Sequence, residues 1–235
     1  MNDYFLQVNQ IMHDVEKEER ETINRVAEKI AQKIKKGGVI QLFGCGHSAL
    51  LAQEIFYRAG GIVPAKPILI EPLMLHTGAQ SSAKFEKQID YIPQYHRQAF
   101  QFEPNDVFIV ISTSARNPAP IDAALLAKGQ DIYTISLQSL QYVELKSNHP
   151  SQKRLEQIVD DVLNNHIPIG DGVIQKGTDL FGPASTVIGA YVLQSLLVEV
   201  LNLLPQPLPV FSSNNVTTRN ENDEWIEKYR HRISF

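Results

Sequence analysis

The sequence predicts an α/β fold, a parallel sheet with helices on either side and an N-terminal helical arm. Three observations carry that expectation. Short Val/Ile-rich runs recur along the chain at VIQLF (39–43), KPILI (66–70), DVFIVI (106–111) and DIYTISL (131–137). They are apolar almost throughout, the pattern of strands buried on both faces rather than one. Helical patterns separate them, as the crossovers between parallel neighbours require.

Taken in order, Asp3 to Lys36 carries Ile23, Val26, Ile30 and Ile34 at three- and four-residue intervals with charges between them. This predicts two helices or one bent helix, stopped at Gly37-Gly38. VIQLF is the first strand and a helix follows from Ser48. KPILI is the second strand, leading to a mixed region. DVFIVI precedes a helix running through Ala123 to Lys128, and DIYTISL precedes a polar stretch, Ser136 to Arg154, expected as a surface excursion. A further short strand is expected within Gln157 to Leu163. A long apolar helix is expected to begin near Gly182-Pro183, since proline suits a first helical turn. ENDEWIEKYRHRI (221–233) reads as a closing surface helix. With no repeat, low-complexity segment or clean linker, one domain is expected over 1–235: an arm (1–36), a core (37–204) and a C-terminal extension (205–235).

The bulk properties narrow the function. The chain has 235 residues, 43% hydrophobic and 20% charged, ordinary for a folded protein that needs no staples. A net charge of −4 without a basic block argues against nucleic acid as the main partner. The single Cys45 excludes an intramolecular disulfide framework and fits a reducing cytosol. MNDYFLQVNQ lacks the basic-then-apolar layout of a signal peptide. The most apolar stretch, Ala184 to Leu204, contains Gln194, Glu199 and Asn202, so a core or subunit-interface helix is expected there rather than a membrane span. A cytoplasmic protein that associates with its own kind is the expectation.

Ligands of such sheets gather where strand ends meet helix beginnings, and two loops there have matching chemistry. GCGHS (44–48) follows the first strand. Gly44 and Gly46 let the backbone approach an anion, the amides of the new helix favour phosphate, and Ser48 can donate another bond. ISTSARNP (111–118) follows DVFIVI and offers Ser112, Thr113, Ser114 and Asn117 as neutral donors at a second helix start. A dinucleotide fits poorly. GCGHSA lacks the third glycine of that fingerprint, no acidic residue closes KPILI (Glu71 lies just beyond it), and no Gly-Lys-Ser/Thr motif is present.

The pair GCGHS and ISTSARNPAPI resembles the sugar isomerase (SIS) family, whose members carry a Gly-x-Gly-x-Ser turn after the first strand and a Ser-x-Ser-Gly-x-Ser/Thr loop further on. The likeness covers Gly37 to Leu204. GHSALLAQEIFYRAGG is also similar to the start of the phosphoheptose isomerase branch, and the whole chain most resembles an uncharacterised bacterial SIS-domain group placed beside it. The resemblance implies a flavodoxin-like three-layer α/β sandwich, a homodimer or homotetramer, and a bound sugar phosphate gripped by Ser48, Ser112, Ser114 and Asn117. Two residues depart from the family pattern. Ala115 stands where the family loop has glycine, and Asn117 replaces the common Ser or Thr. SARNP is also similar to the Ser-Gly-Arg-Thr-Pro loop of N-acetylmuramic acid 6-phosphate etherases, where Arg116 would add a charge-assisted bond to phosphate; otherwise it is a solvated loop arginine.

Isomerisation between aldose and ketose needs an acid/base group and a ring-opening group. The phosphoheptose isomerase branch places a His and then a Glu on the first helix, where this chain has Glu54 and Arg58. Glu54 either serves the site or pairs with Arg58 at i, i+4. His47 either donates to the ligand or packs the loop. His76, after the second strand, and His166, after the last, are candidates for proton transfer or ring opening; the alternative for each is a capping or surface histidine. Asp171-Gly172 reads as turn chemistry. Glu199 either reaches a site or forms an interface ion pair, and Ser185 and Thr186 either cap the long helix or touch the sugar. No metal ligands can be named, because the histidines show no paired spacing, and no cofactor is expected. The leading expectation is a phosphosugar isomerase; the alternatives are a non-catalytic phosphosugar sensor and a lyase acting on a phosphorylated amino sugar.

Overall fold

The computed structural model describes residues 3–213, 215–216 and 221–235. Its elements in chain order are α1 (Asp3–Lys35), β1 (Ile40–Gly44), α2 (His47–Glu54), β2 (Ala65–Pro67), α3 (Ala79–Glu86), β3 (Val107–Ile111), α4 (Pro118–Lys128), β4 (Tyr133–Gln138), β5 (Asp161–Asn164), β6 (Gly172–Lys176), β7 (Asp179–Pro183), α5 (Ser185–Asn202) and α6 (Glu221–Tyr229). Strands β1 to β5 form one sheet in the order β2-β1-β3-β4-β5, every pair parallel. The chain leaves β1 toward one edge and returns on its other side, so the strand order reverses between β1 and β3. In open parallel sheets ligands bind at such a reversal, outside the strands' carboxyl ends.

Alternate residues of β1 and β3 feed two separate cores, which is why those runs are apolar on both faces, whereas the second face of β4 carries buried Thr134, Ser136 and Gln138. Ile40, Leu42, Ile109, Ile111, Ile135, Leu137 and Leu163 face a layer built from α1, α2 and α5. Phe43, Phe108 and Val110 face the other layer with Ile121 and Ala124 of α4 and Ile68, Leu73 and Ile92 from the segment between β2 and β3. The three-layer sandwich expected from the sequence is therefore present. The C-terminal residues form a third cluster, in which Phe211, Tyr229 and Ile233 close over Val39 and Val63.

The N-terminal segment is one continuous helix rather than two, and it is part of the sandwich. Val15, Ile23, Val26, Ile30 and Ile34 are buried against the sheet and α5. Asp161 at the start of β5 accepts from Arg25, from Lys29 at 2.8 Å and from the Tyr133 hydroxyl at 2.6 Å. Burial alone would raise the Asp161 carboxyl, but the hydrogen bonds from Lys29, Tyr133 and Arg25 outweigh it and hold the group below its ordinary range.

Four boundaries differ from expectation. Strand β2 is shorter and earlier than KPILI; it is an edge strand, where Pro67 costs no ladder bond on the open side. Strand β5 runs to Asn164, one residue past the expected segment. The long helix begins at Ser185 rather than at Pro183, because 172–183 form an antiparallel hairpin, β6–β7, turning through Gly177 at φ +62. The polar excursion is no simple surface loop: Ser136 to Gln138 belong to β4, and Tyr142, His149 and Arg154 are buried. Helix α5 is long and apolar enough to cross a membrane by composition, yet it lies in the sandwich, with Ile188, Val192, Leu193, Leu196 and Val200 fully buried.

Candidate functional site

Gly44, the last residue of β1, stands directly opposite Ile111, the last residue of β3. The two serine-bearing loops therefore leave adjacent strands side by side at the point where the strand order reverses. Both glycines of the first loop are required by geometry. A Cβ on Gly44 would lie 2.7 Å from the Ser48 backbone, and Gly46 sits at φ +56 while donating its N–H to Leu73 O at 2.8 Å. Helix α2 can thus start immediately over the strand end. His47 is exposed, Ser48 is half-buried, and the Ser48 hydroxyl makes no hydrogen bond among the described residues.

In the second loop, buried Ser112 receives the Ala115 N–H on its Oγ at 3.3 Å. Thr113 and Ser114 are half-buried, and their hydroxyls have no partner among the described residues. Ala115 occupies the left-handed region at φ +56 and is completely buried. The alanine thus keeps the backbone turn a glycine would favour, at a cost of about 1–2 kcal/mol.

The former excursion braces this loop from behind. The carbonyls of Thr113, Ser114, Ala115 and Arg116 accept from Ser139 N, Arg154 Nη2, Leu155 N and Asn148 N at 3.0, 2.9, 3.2 and 2.8 Å. In a planar trans peptide the next N–H points opposite to each carbonyl. Apart from Ala115, whose N–H returns to Ser112, the amides of Ser114, Arg116 and Asn117 are turned away from the brace. Buried Arg154 anchors the arrangement, also binding Leu145 O at 2.8 Å and Glu156 at 2.5 Å.

Helix α4 contributes less than a helix start ordinarily would. Pro118 and Pro120 occupy its first turn and have no N–H. Asn117 stands at the N-cap position but makes no capping bond. Its Nδ2 donates instead to Glu86 Oε1 at 2.9 Å, while Asn148 Nδ2 donates to its Oδ1 at 2.8 Å. Asn148 Oδ1 in turn accepts from Arg116 Nη2 at 3.0 Å. Arg116 Nε is buried with no hydrogen-bond partner.

Glu86, at the end of α3, was not singled out by the sequence. AKFEKQ reads there as a solvated helix end, with lysines at 84 and 87 flanking the acid. In the fold this carboxyl is half-buried against the second loop. Burial raises it above the ordinary carboxylate range, against the pull of the Asn117 bond and the Lys87 charge. Its charge also reaches the first loop: the buried Cys45 thiol is pushed well up, chiefly by desolvation and further by Glu86.

The expected catalytic residues are placed unequally. His76 is exposed and lines a cavity of about 320 Å³ with Gly46, Ala49, Gln53 and Met74, beside the first loop. Glu54 lies at the far end of α2, ion-paired to Arg58 and 3.4 Å from Gln194 Nε2. His166 follows β5, two strands away from β3, and its Nε2 lies 3.1 Å from Glu19 of α1. The Glu19 bond raises its imidazole against the opposing effect of burial. Ser185 sits in the cap of α5: Asp171 accepts the N–H groups of Ala184 and Ser185 at 3.1 and 2.8 Å and the Ser185 hydroxyl at 2.7 Å. Thr186 is exposed, and Glu199 lines a separate groove between α1 and α5. Among the described residues no cluster of three or more metal-ligating side chains occurs.

The profile of the SIS domain matches residues 3–139, more than half of the chain. The protein belongs to the SIS domain family. Among relatives of this SIS protein, the UPF0309 protein in the nagA 3′ region of Lysinibacillus sphaericus is 51% identical over 238 residues, spanning 100% of this chain and 98% of that one. A UPF0309 protein of Geobacillus thermodenitrificans is 43% identical, spanning 99% and 96%. Among solved structures, phosphoheptose isomerase GmhA from Neisseria gonorrhoeae superposes with a TM-score of 0.55 at 18% identity, over 86% of this chain and 95% of that one. The Vibrio vulnificus NanR protein complexed with ManNAc-6P gives 0.51 at 16% identity, over 97% and 65%. At these identities the structural likeness speaks for the fold.

Proposed function

We propose that this SIS-domain protein binds a phosphorylated sugar at the strand-order reversal between β1 and β3 and interconverts its aldose and ketose forms. The observation that carries the reading is the register of Gly44 with Ile111, which sets side by side two loops whose Ser48, Thr113 and Ser114 hydroxyls have no partner among the described residues. Ser48, Thr113 and Ser114, with the forward-turned amides of the second loop, supply neutral donors for phosphate. Arg116 lies on the same loop and would add charge. Gly46 and His47 lie over the first strand end, and His76 lines the cavity beside it, placed for ring opening. The SIS-fold neighbours include a phosphoheptose isomerase and the NanR protein complexed with ManNAc-6P, which supports sugar phosphates as the ligand class. The protein would act in the cytosol as a homo-oligomer, with Val187 and Val198 on the outward face of α5 available for contact.

A second reading, a non-catalytic phosphosugar sensor, is favoured by one observation: Glu54 and Arg58, where the phosphoheptose branch carries its catalytic pair, neutralise each other. A thermal-shift panel of ribose 5-phosphate, fructose 6-phosphate, sedoheptulose 7-phosphate and N-acetylmannosamine 6-phosphate tests binding. A ligand at a hundred times its Kd adds about 2.7 kcal/mol. At least one should raise Tm, and Ser114→Ala should abolish the rise. No shift with any sugar, or an unchanged shift in Ser114→Ala, refutes the proposal. Interconversion of the bound sugar separates isomerase from sensor.

A further inference from the structure

We propose that Glu86 is the acid–base residue of the site, transferring the proton between adjacent carbons of the bound phosphosugar. The inference rests on the phosphosugar reading and names the group that would perform its chemistry. Three geometric facts carry it. The carboxyl belongs to neither loop yet is bonded to Asn117 of the second at 2.9 Å, and its charge adds to the upward push on the buried Cys45 thiol of the first. Only Oε1 is occupied; Oε2 has no partner among the described residues, and the side chain is half-buried rather than sealed. Asn117 forgoes its capping bond to hold Glu86, and Asn148 fixes the Asn117 amide so that its NH2 end faces the carboxyl.

The chemistry suits a partly desolvated carboxyl. As carboxylate, Glu86 takes the proton from the carbon next to the sugar carbonyl. The C–H electron pair becomes the C=C bond of an enediol, and the carbonyl π pair moves to oxygen, which takes a proton from an acid such as His76. The return step delivers the proton from Glu86 to the former carbonyl carbon, while the neighbouring hydroxyl gives its proton back to the now deprotonated acid and becomes the new carbonyl. Atoms and electrons balance with no oxidant or reductant. A carboxyl raised by burial is a stronger base than one in water, and the Asn117 bond and Lys87 keep its ionised form accessible.

The test uses the sugar phosphate from the binding panel that gives the largest Tm shift, incubated with wild type, Glu86→Gln and Glu86→Asp in deuterated water. Gln keeps the acceptor for Asn117, and an unaltered Tm of the free variant checks its fold. Wild type should place solvent deuterium on the carbon beside the carbonyl. Glu86→Gln should bind as wild type does and lose exchange by at least about 100-fold. Glu86→Asp, with a shorter reach, should retain part of it. The wild-type rate should climb with pH through a limb above the ordinary carboxylate range that Glu86→Gln lacks. Binding without exchange in wild type, or exchange at the wild-type rate in Glu86→Gln, overturns the assignment. A panel with no binder at all is scored by Tm alone and overturns the phosphosugar reading beneath it.

Discussion

Replacing Arg154 by methionine should both destabilise the protein and loosen the ligand loop. Arg154 is 5% exposed and its guanidinium makes three bonds, to Ser114 O at 2.9 Å, to Leu145 O at 2.8 Å and to Glu156 at 2.5 Å. Methionine has a similar length and no donor, so the pocket stays filled while every bond is lost. Two carbonyls would then be left without their donor, at about 1–3 kcal/mol each where water cannot reach. Glu156 suffers less: its side chain is 17% exposed and keeps the Gln138 amide at 2.8 Å. The expected loss is about 3–5 kcal/mol, the usual cost of removing one partner of a buried ion pair. Urea unfolding at 25 °C measures it, with the slope compared to confirm that only stability has changed. The freed Ser114 peptide should also weaken ligand binding, so the sugar-phosphate Tm shift should shrink even after the lower starting Tm is allowed for. A loss below about 1 kcal/mol, or a full ligand shift in the variant, would show that the brace is not what holds the loop.

Three further substitutions probe separate links. Asp171→Ala removes the acceptor for three donors at the start of α5 and should cost about 1–2 kcal/mol in urea unfolding, while Asp171→Asn keeps most of it. Asp161→Asn should cost about 2 kcal/mol near neutral pH, because a charge-assisted network becomes a neutral one. Since the folded Asp161 carboxyl lies below its ordinary 3.8, the contribution is complete above that pH and disappears as pH falls through the folded value. Wild type and variant should therefore converge in stability below pH 3.8, and a constant gap into stronger acid would contradict the assignment. Ala115→Gly removes left-handed strain of about 1–2 kcal/mol but loses a buried methyl of about 0.8 kcal/mol and loosens the unfolded chain by about 0.4–1 kcal/mol. The net change should be within about 1 kcal/mol, and a larger gain in Tm would mean the alanine strains the turn more than its dihedral implies.

What could be read from the sequence was whatever depends on local pattern. Runs rich in Val and Ile identified β1 and β3, the more alternating DIYTISL identified β4, and the glycines of GCGHS marked the turn that Gly44 and Gly46 make. What stayed hidden depends on contacts between residues distant in sequence. Hairpin β6–β7 has few of the β-branched residues that announce a strand, and only Gly177 between GVIQK and DLFGP signalled a two-residue turn. The stretch Ser136 to Arg154 is polar, yet Arg154 and His149 are buried because each meets a partner elsewhere: Arg154 the Ser114 carbonyl, His149 the Asp122 carboxyl at 3.0 Å. Glu86 was invisible for the same reason. An acid between two lysines on a short helix looks solvated until Asn117, 31 residues later, comes against it.

The second loop also shows why a phosphate site here would be pre-set rather than formed by the ligand. Two features oppose its conformation: left-handed Ala115, at about 1–2 kcal/mol, and the unused N-cap of α4, at about 1 kcal/mol. The prolines at the helix start withhold further donors that could have held the turn. Four successive carbonyls tied to Ser139, Arg154, Leu155 and Asn148 act the other way, at about 0.5–1.5 kcal/mol each. The brace therefore matches or exceeds the local cost before any ligand arrives. A loop held in this way loses little freedom on binding, so contacts from Ser114 and the forward amides would reach the phosphate with little ordering cost. The segment from Ser139 to Leu155, which carries none of the recognisable motif, is what holds the motif's second loop in shape.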